Sequence, residues 1–230
     1  MLTKFHGFLC VHKHVGESSY DVIRKIKKAI PEKKIGHAGT LDPFAEGLLI
    51  IAIGRHYTKQ ISTFQDMPKR YQFTLSLGTS TDSLDSTGTV IERQAIPSVS
   101  EEQVKDVLSS FIGLQEQMPP AFSAKKINGK PAYKLAREGK EVSLKPSHIT
   151  IHELNLISAS ITNEFAEISC DSLVSKGTYI RSLSADIAKK LNTVGHTNAL
   201  IRTHIGEYET KQALSSSEIT QENILKALKK

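Results

Sequence analysis

The chain has no tryptophan, only two cysteines and 6% aromatic residues. Neither a disulfide framework nor an aromatic-rich surface therefore organises it. Cys10 and Cys170 each lie in an apolar stretch and read as buried thiols of a reducing compartment. No apolar run approaches the roughly 20 residues of a membrane span. Phe8–Val11, the run nearest the N-terminus, is too short for a signal-peptide core. A cytoplasmic protein without membrane attachment is expected. There is no Gly-x-Gly-x-x-Gly, no Gly-Lys-Ser/Thr loop and no Gly-x-Ser-x-Gly elbow, which leaves nucleotide cofactors and a serine nucleophile without support. His6, Cys10, His12 and His14 fall at even spacing, so a strand would turn all four to one face. They lack the paired spacing of common zinc sites and read as a half-buried strand face, with no metal expected.

What the chain does have is length, basic charge and clear periodicity. Its 230 residues, 39% hydrophobic and 23% charged, suffice for a globular core without staples. The formal net charge of +6 invites a polyanionic partner. Arg24, Lys25, Lys27, Lys28, Lys33 and Lys34 form one basic cluster, and Lys125 with Lys126 another. Charge alone nominates nucleic acid, and solvated helix faces would give the same count.

A strand is predicted over Phe5–Val11, followed by a helix capped by Ser18 or Ser19 with Val22, Ile23, Ile26, Ala29 and Ile30 on one face. Leu48–Ile53 fits a buried strand, and Tyr71–Leu77 alternates as a half-buried one. Ser100 and Gln103 form a capping box ahead of a second helix. Residues from about 115 to 147 are broken by prolines and glycines and read as a basic insertion, with a short helix from Pro131 to about Glu138. Ile149–Ile157 and Ala166–Val174 are predicted strands; Ile180, Leu183, Ile187 and Leu191 mark a helix face from which Arg181 stands aside. Ser215 with Glu218 predicts a last capping box. Strands and helices mix without βαβ alternation, so the expected class is α+β (mixed α/β), not a Rossmann layout.

Chemistry concentrates in Gly36-His37-Ala38-Gly39-Thr40-Leu41-Asp42-Pro43-Phe44-Ala45-Glu46-Gly47. Pro43 biases Asp42 toward extended geometry, and the glycines allow tight turns or the close approach of a ligand. Read alone, the stretch is also an ordinary structural turn. A carboxylate used as a nucleophile must stay ionised in its pocket, which an arginine such as Arg181 favours. An aromatic such as Tyr71 can stack on a base removed from its helix.

The stretch Gly36–Pro43 resembles the catalytic motif of the TruB family of tRNA pseudouridine(55) synthases. Further elements follow in the family's order: Lys69-Arg70-Tyr71; Gly78 to Gly88 with its acidic core; Pro119-Pro120-Ala121-Phe122-Ser123-Ala124-Lys125 with Gly129, Tyr133, Ala136-Arg137 and Gly139; and Ser175 to Leu183. The resemblance runs from about residue 7 to 206. It implies a pseudouridine-synthase fold, with a central mixed, mostly antiparallel sheet flanked by helices and the 115–147 insertion gripping RNA. It further implies one catalytic domain over 1–230.

On this resemblance Asp42 is the catalytic aspartate, Arg181 pairs with it, and Asp85 competes for that arginine. Tyr71 stacks on the target base. Tyr179 and Leu200 line the pocket, His37 meets the RNA where the base has left, and Lys13 joins the substrate contacts. The glycines of the loop let RNA backbone come close. Uracil leaves C1′ of ribose, turns and rejoins through C5, with no cofactor or metal. Three routes are compatible: the aspartate adds to the base, attacks the sugar or takes a proton from C2′. The expected partner is the T-arm of tRNA, bound by a monomer that needs no protein partner. A synthase acting on another RNA, guide-directed systems included, and an RNA-folding helper are the alternatives.

The sequence also departs from the family pattern. His12-Lys13-His14-Val15-Gly16 stands where Asp-Lys-Pro-x-Gly is usual, and Leu200-Ile201-Arg202 where Leu-Arg-Arg is usual. Ser83 and Phe122 replace a threonine and a frequent tyrosine. About 25 residues follow Gly206, too few for the C-terminal PUA module many relatives carry, so none is expected.

Overall fold

The computed structural model describes residues 5–127, 129–140, 142–162 and 164–230. Along the chain the elements are β1 (Gly7–Lys13), α1 (Ser19–Ala29), β2 (Ile35–His37), β3 (Glu46–Ile53), α2 (Arg55–Thr58), α3 (Ile61–Asp66), β4 (Lys69–Leu77), β5 (Thr79–Thr81) and β6 (Val90–Arg93). There follow α4 (Glu101–Ser109), β7 (Gly113–Gln117), β8 (Lys126–Ile127), β9 (Lys130–Pro131), α5 (Ala132–Arg137), β10 (Ser147–Ile161) and β11 (Ala166–Val174). The chain ends with α6 (Ile180–Lys190), β12 (Gly195–Ile205), β13 (Tyr208–Glu209), β14 (Leu214–Ser215) and α7 (Gln221–Ala227). The fold is α+β, with a mixed, mostly antiparallel sheet flanked by helices, as expected. Among the described residues no helix is long and apolar enough to cross a membrane.

Contacts group the chain into two compact units, Met1–Gln72 with Leu200–Lys230, and Phe73–Ala199. In the first unit β1 pairs antiparallel with β3 and parallel with β14, while β2 adds antiparallel to β3. All of β3 after Glu46 is buried, which is why it reads as a continuous apolar run. Helix α1 begins at Ser18, whose hydroxyl accepts from Asp21 N while the Asp21 carboxylate takes Ser18 N, a reciprocal cap. Its Val22, Ile23 and Ile26 join Leu9, Val11, Leu49, Ile51 and Ile53 in the core. At about 1.5–3 kcal/mol for each fully buried aliphatic side chain, this shared face accounts for the seating of α1.

In the second unit β10 lies between β7 and β11, antiparallel to both. Helix α4 starts at the anticipated Ser100–Gln103 capping box, with Val104 and Leu108 buried. Helix α6 buries Ile180, Leu183 and Ile187 and, in addition, Arg181.

Two expectations fail. The last helix begins not at Ser215 but after Thr220, whose hydroxyl accepts from Asn223 N. Ser215 lies in β14, paired through His12, so its hydroxyl is not at a helix start. The short strand β7 also occupies the start of the supposed irregular insertion. The rest of that segment holds the β8–β9 hairpin and α5. Residues 128 and 141 within it lie outside the described residues.

Candidate active site

Asp42 sits half-buried at the first position of a β-turn: its carbonyl accepts from Ala45 N at 3.1 Å, and Pro43 is the second residue. Proline's fixed φ suits that position. The surrounding backbone is held nearly residue by residue. Arg202, 2% exposed, donates from Nη2 to Gly39 O at 3.1 Å, from Nη1 to Thr40 O at 3.5 Å and from Nε to Leu48 O at 2.8 Å. The buried Ser19 hydroxyl, at the first turn of α1, accepts from Leu41 N at 2.9 Å and donates to Leu41 O at 3.2 Å. Gly16 N donates to Pro43 O at 2.8 Å. Buried carbonyls need such partners, and here side chains and a neighbouring loop supply what no sheet can give a turn.

Lys13 completes this brace. Its ammonium donates to Ala45 O at 2.5 Å, Glu17 O at 2.7 Å and His14 O at 3.0 Å. Three protons meet three carbonyls, and the residue is 0% exposed. The ammonium thus holds the His14, Glu17 and Ala45 carbonyls at the base of the turn. Burial holds its pKa down at about 8, against the opposing charges of Glu17, Asp42 and Glu46. Because the unfolded lysine titrates near 10.5, the unfolded chain binds more protons between those values, so stability contributed through Lys13 rises from pH 8 to 10.5. Urea denaturation across that window is expected to show wild type gaining on Lys13→Met; a constant difference would contradict the shift.

Two glycines of the stretch are required by the packing of the chain itself. β12 runs parallel beside β3, with Arg202 opposite Gly47. A Cβ on Gly47, whose φ is +110°, would stand 2.3 Å from Arg202 O. The close approach is made by the chain itself. At Gly36 a Cβ would likewise meet Ile61 Cδ1 at 2.6 Å.

The remaining residues of the first unit are placed by similar means. His37 ends β2 opposite Ile51. Burial and the Arg202 charge hold its pKa down, so the ring is neutral at neutral pH, and its buried Nδ1 has no hydrogen-bond partner among the described residues. Tyr71 is half-buried on β4. Before it, Lys69 donates to Phe64 O at 3.3 Å, Gln65 O at 2.5 Å and Met67 O at 2.6 Å, capping the end of α3. Thr203 Oγ1 donates to Arg70 O at 3.2 Å. Leu200 is buried.

In the second unit Arg181 and Asp85 meet, Nη1 to Oδ2 at 3.5 Å, both nearly inaccessible. The guanidinium also donates to Ser83 O at 2.7 Å and Phe122 O at 2.9 Å. Asp85 Oδ1 accepts from Ser83 Oγ at 2.9 Å, Thr87 N at 3.0 Å and Thr87 Oγ1 at 2.6 Å. Ser83, in place of threonine, thus keeps the hydroxyl the carboxylate uses. Gly88 closes this loop where a Cβ would lie 2.3 Å from Ser83 Oγ. The backbone of Tyr179 is read twice by one amide: Tyr179 N donates to Gln117 Oε1 at 2.8 Å, and Gln117 Nε2 donates to Tyr179 O at 3.0 Å.

The structure thus groups Asp42, His37 and Lys13 around one braced turn, and Arg181 with Asp85 in a second cluster. Sequence reasoning missed Arg202, Ser19 and Gln117. The available signal was a polar residue at an inward position of a strand or helix; Arg202 entered the sequence reading only as part of the Leu200-Ile201-Arg202 departure. Two members of the basic cluster are occupied internally: Lys25 pairs with Glu17 and donates to Ser216 O, and Arg24 pairs with Asp21. Lys28, Lys33 and Lys34 are exposed.

Residues 27–180 match the model of the TruB family pseudouridylate synthases, N-terminal domain. A tRNA pseudouridine synthase B of Caldanaerobacter subterraneus subsp. tengcongensis is 41% identical over 94% of this chain and 74% of its own. That of Aquifex aeolicus is 42% identical over 94% of this chain and 75% of its own. Among solved structures, a chain of a Cbf5-Nop10-Gar1 complex superposes with a TM-score of 0.72 at 22% identity, covering 98% of this chain and 60% of that one, a likeness of fold.

Proposed function

The chain belongs to the TruB family of pseudouridylate synthases, and on that premise we propose that it converts the uridine at position 55, in the T-loop of tRNA, to pseudouridine, with Asp42 as the catalytic carboxylate. The observation that carries this reading is the Asp42 turn, whose backbone is secured by Arg202, Ser19, Gly16 and Lys13. A turn held this rigidly on buried scaffold presents one side chain in one direction, which is what a nucleophile requires.

The reaction is an isomerisation. The N1–C1′ bond breaks, a C5–C1′ bond forms, the C5 proton leaves and N1 gains one, so atoms balance without a cofactor. The base must first leave its stack, at a cost of a few kcal/mol, less for a loop uridine than for one in a duplex. In this proposal Tyr71 stacks on the flipped uracil, Leu200 and Tyr179 wall the pocket against water, and His37 meets the vacated site as a neutral imidazole. Arg181 serves the Asp42 charge, with Asp85 as the second carboxylate that holds the guanidinium between turnovers. The RNA is gripped by residues 115–147 and by exposed lysines such as Lys28, Lys33 and Lys34, in one catalytic domain acting as a cytoplasmic monomer.

The test is position-specific. Purified protein is incubated with unmodified tRNA transcript alone, and pseudouridine is mapped by carbodiimide labelling and primer extension. A single stop at the T-loop uridine is expected. Modification elsewhere in tRNA, or only in other RNAs, assigns the chemistry to another substrate; binding without any modification leaves a folding helper.

A further inference from the structure

His12 and His14 stand where the family pattern has aspartate and proline, and the proposed reaction has no use for either. In the register of β1 on β3, His12 faces Leu48 and Lys13 faces Gly47; His14 directly follows β1 and Glu46 opens β3. The imidazoles stack with centroids 4.9 Å apart at 29°. His12 Nε2 lies 3.4 Å from Glu46 Oε2. One donor atom from each of His12, His14 and Glu46 falls within 4.8 Å of the others, and all three residues are half-buried. His14 Nε2 is also hydrogen-bonded to Ser215 Oγ at 2.7 Å, which orients that ring.

We propose that His12, His14 and Glu46 form a binding site for a divalent first-row cation of the zinc class. Two imidazoles and a carboxylate are ligands such an ion accepts, with water completing four-coordination. Metal–ligand bonds of about 2.0–2.1 Å place neighbouring ligand atoms of a tetrahedron about 3.3 Å apart, the separation His12 and Glu46 already have. Small side-chain rotations bring in His14, and the Ser215 hydroxyl acts as the outer partner that orients a ligating histidine. The role is structural. Lys13 lies between the two histidines in sequence and Glu46 follows the Asp42 turn, so a bound ion ties the end of β1 to the start of β3 across the base of that turn.

Tag-free, full-length protein stripped with chelator is titrated with Zn²⁺ against a chromophoric chelator. One equivalent is expected to bind, with a rise of several degrees in melting temperature. His14→Ala and Glu46→Gln are expected to weaken binding at least about tenfold, while His152→Ala, on β10, leaves it unchanged. Co²⁺ is expected to give the visible d–d absorption of a four-coordinate nitrogen and oxygen site in wild type. That readout does not depend on the stability of any variant. No stoichiometric Zn²⁺ binding, wild-type affinity in both His14→Ala and Glu46→Gln, or a Co²⁺ spectrum of hexa-aqua type would each overturn the proposal.

Discussion

Asp42→Asn is expected to lower the single-turnover rate of pseudouridine formation by at least about 10⁴-fold, with tRNA affinity changed less than about threefold. Losing a nucleophile leaves only what binding and positioning provide, and such losses are the largest single-residue effects in enzymes. The substitution is nearly isosteric. Gly16, Ser19, Lys13 and Arg202 hold the turn through backbone atoms, which the substitution leaves in place, so the variant is expected to fold. Rapid-quench assays with enzyme in excess measure the rate, and filter binding measures affinity. A rate within tenfold of wild type would remove Asp42 from the chemistry.

Arg202→Met tests the brace. The guanidinium lies in the core of the first unit, 2% exposed, donating to three carbonyls of the loop and the following strand. Methionine fills much of the volume but donates nothing; leaving the buried Leu48 carbonyl without this donor costs about 1–3 kcal/mol, and the part-buried Gly39 and Thr40 carbonyls add less. A loss of about 3 kcal/mol in total corresponds to a fall of roughly 6–12 °C in melting temperature for a chain of this size. A displaced carboxylate also reacts more slowly: misplacement by an ångström can cost about 10²-fold in kcat. The expected signature is therefore a lower melting temperature and a lower kcat with little change in KM, because Arg202 positions Asp42 and does not bind substrate. A raised KM with unchanged kcat would instead make Arg202 a phosphate contact. Arg202→Lys, which keeps the charge and one donor set, should fall between the two.

The parts of this fold that were legible are those in which local chemistry and burial agree. Ser18 and Ser100 start their helices where reciprocal caps require it. Tyr71–Leu77 and Ala166–Val174 alternate because one face of each is buried. β12 escaped notice for the opposite reason. Its buried positions hold Gly195, Thr197, Leu200, Arg202 and Ile205, so the inward face carries no hydrophobic period to detect. That strand also carries the arginine on which the loop hangs. The Ser215–Glu218 motif misled because Thr220 stands five residues on with a hydroxyl equally able to cap, and β14 had already taken Ser215. At the site, Asp42 stood out by its neighbours. Lys13 did not reveal its role, since a lysine in a basic chain looks like a surface charge until three carbonyls are found around it.

The most direct test of the account follows the proton that must leave C5. tRNA transcript is prepared with tritium at C5 of uridine, in two forms that differ only in carrying uridine or cytidine at position 55 of the T-loop. With excess wild-type protein, release of one equivalent of label per tRNA is expected from the first form. None is expected from the second, and none from either with Asp42→Asn. Release by Asp42→Asn at the wild-type rate, or equal release from both transcripts, would contradict the claim that this braced aspartate acts on the T-loop uridine.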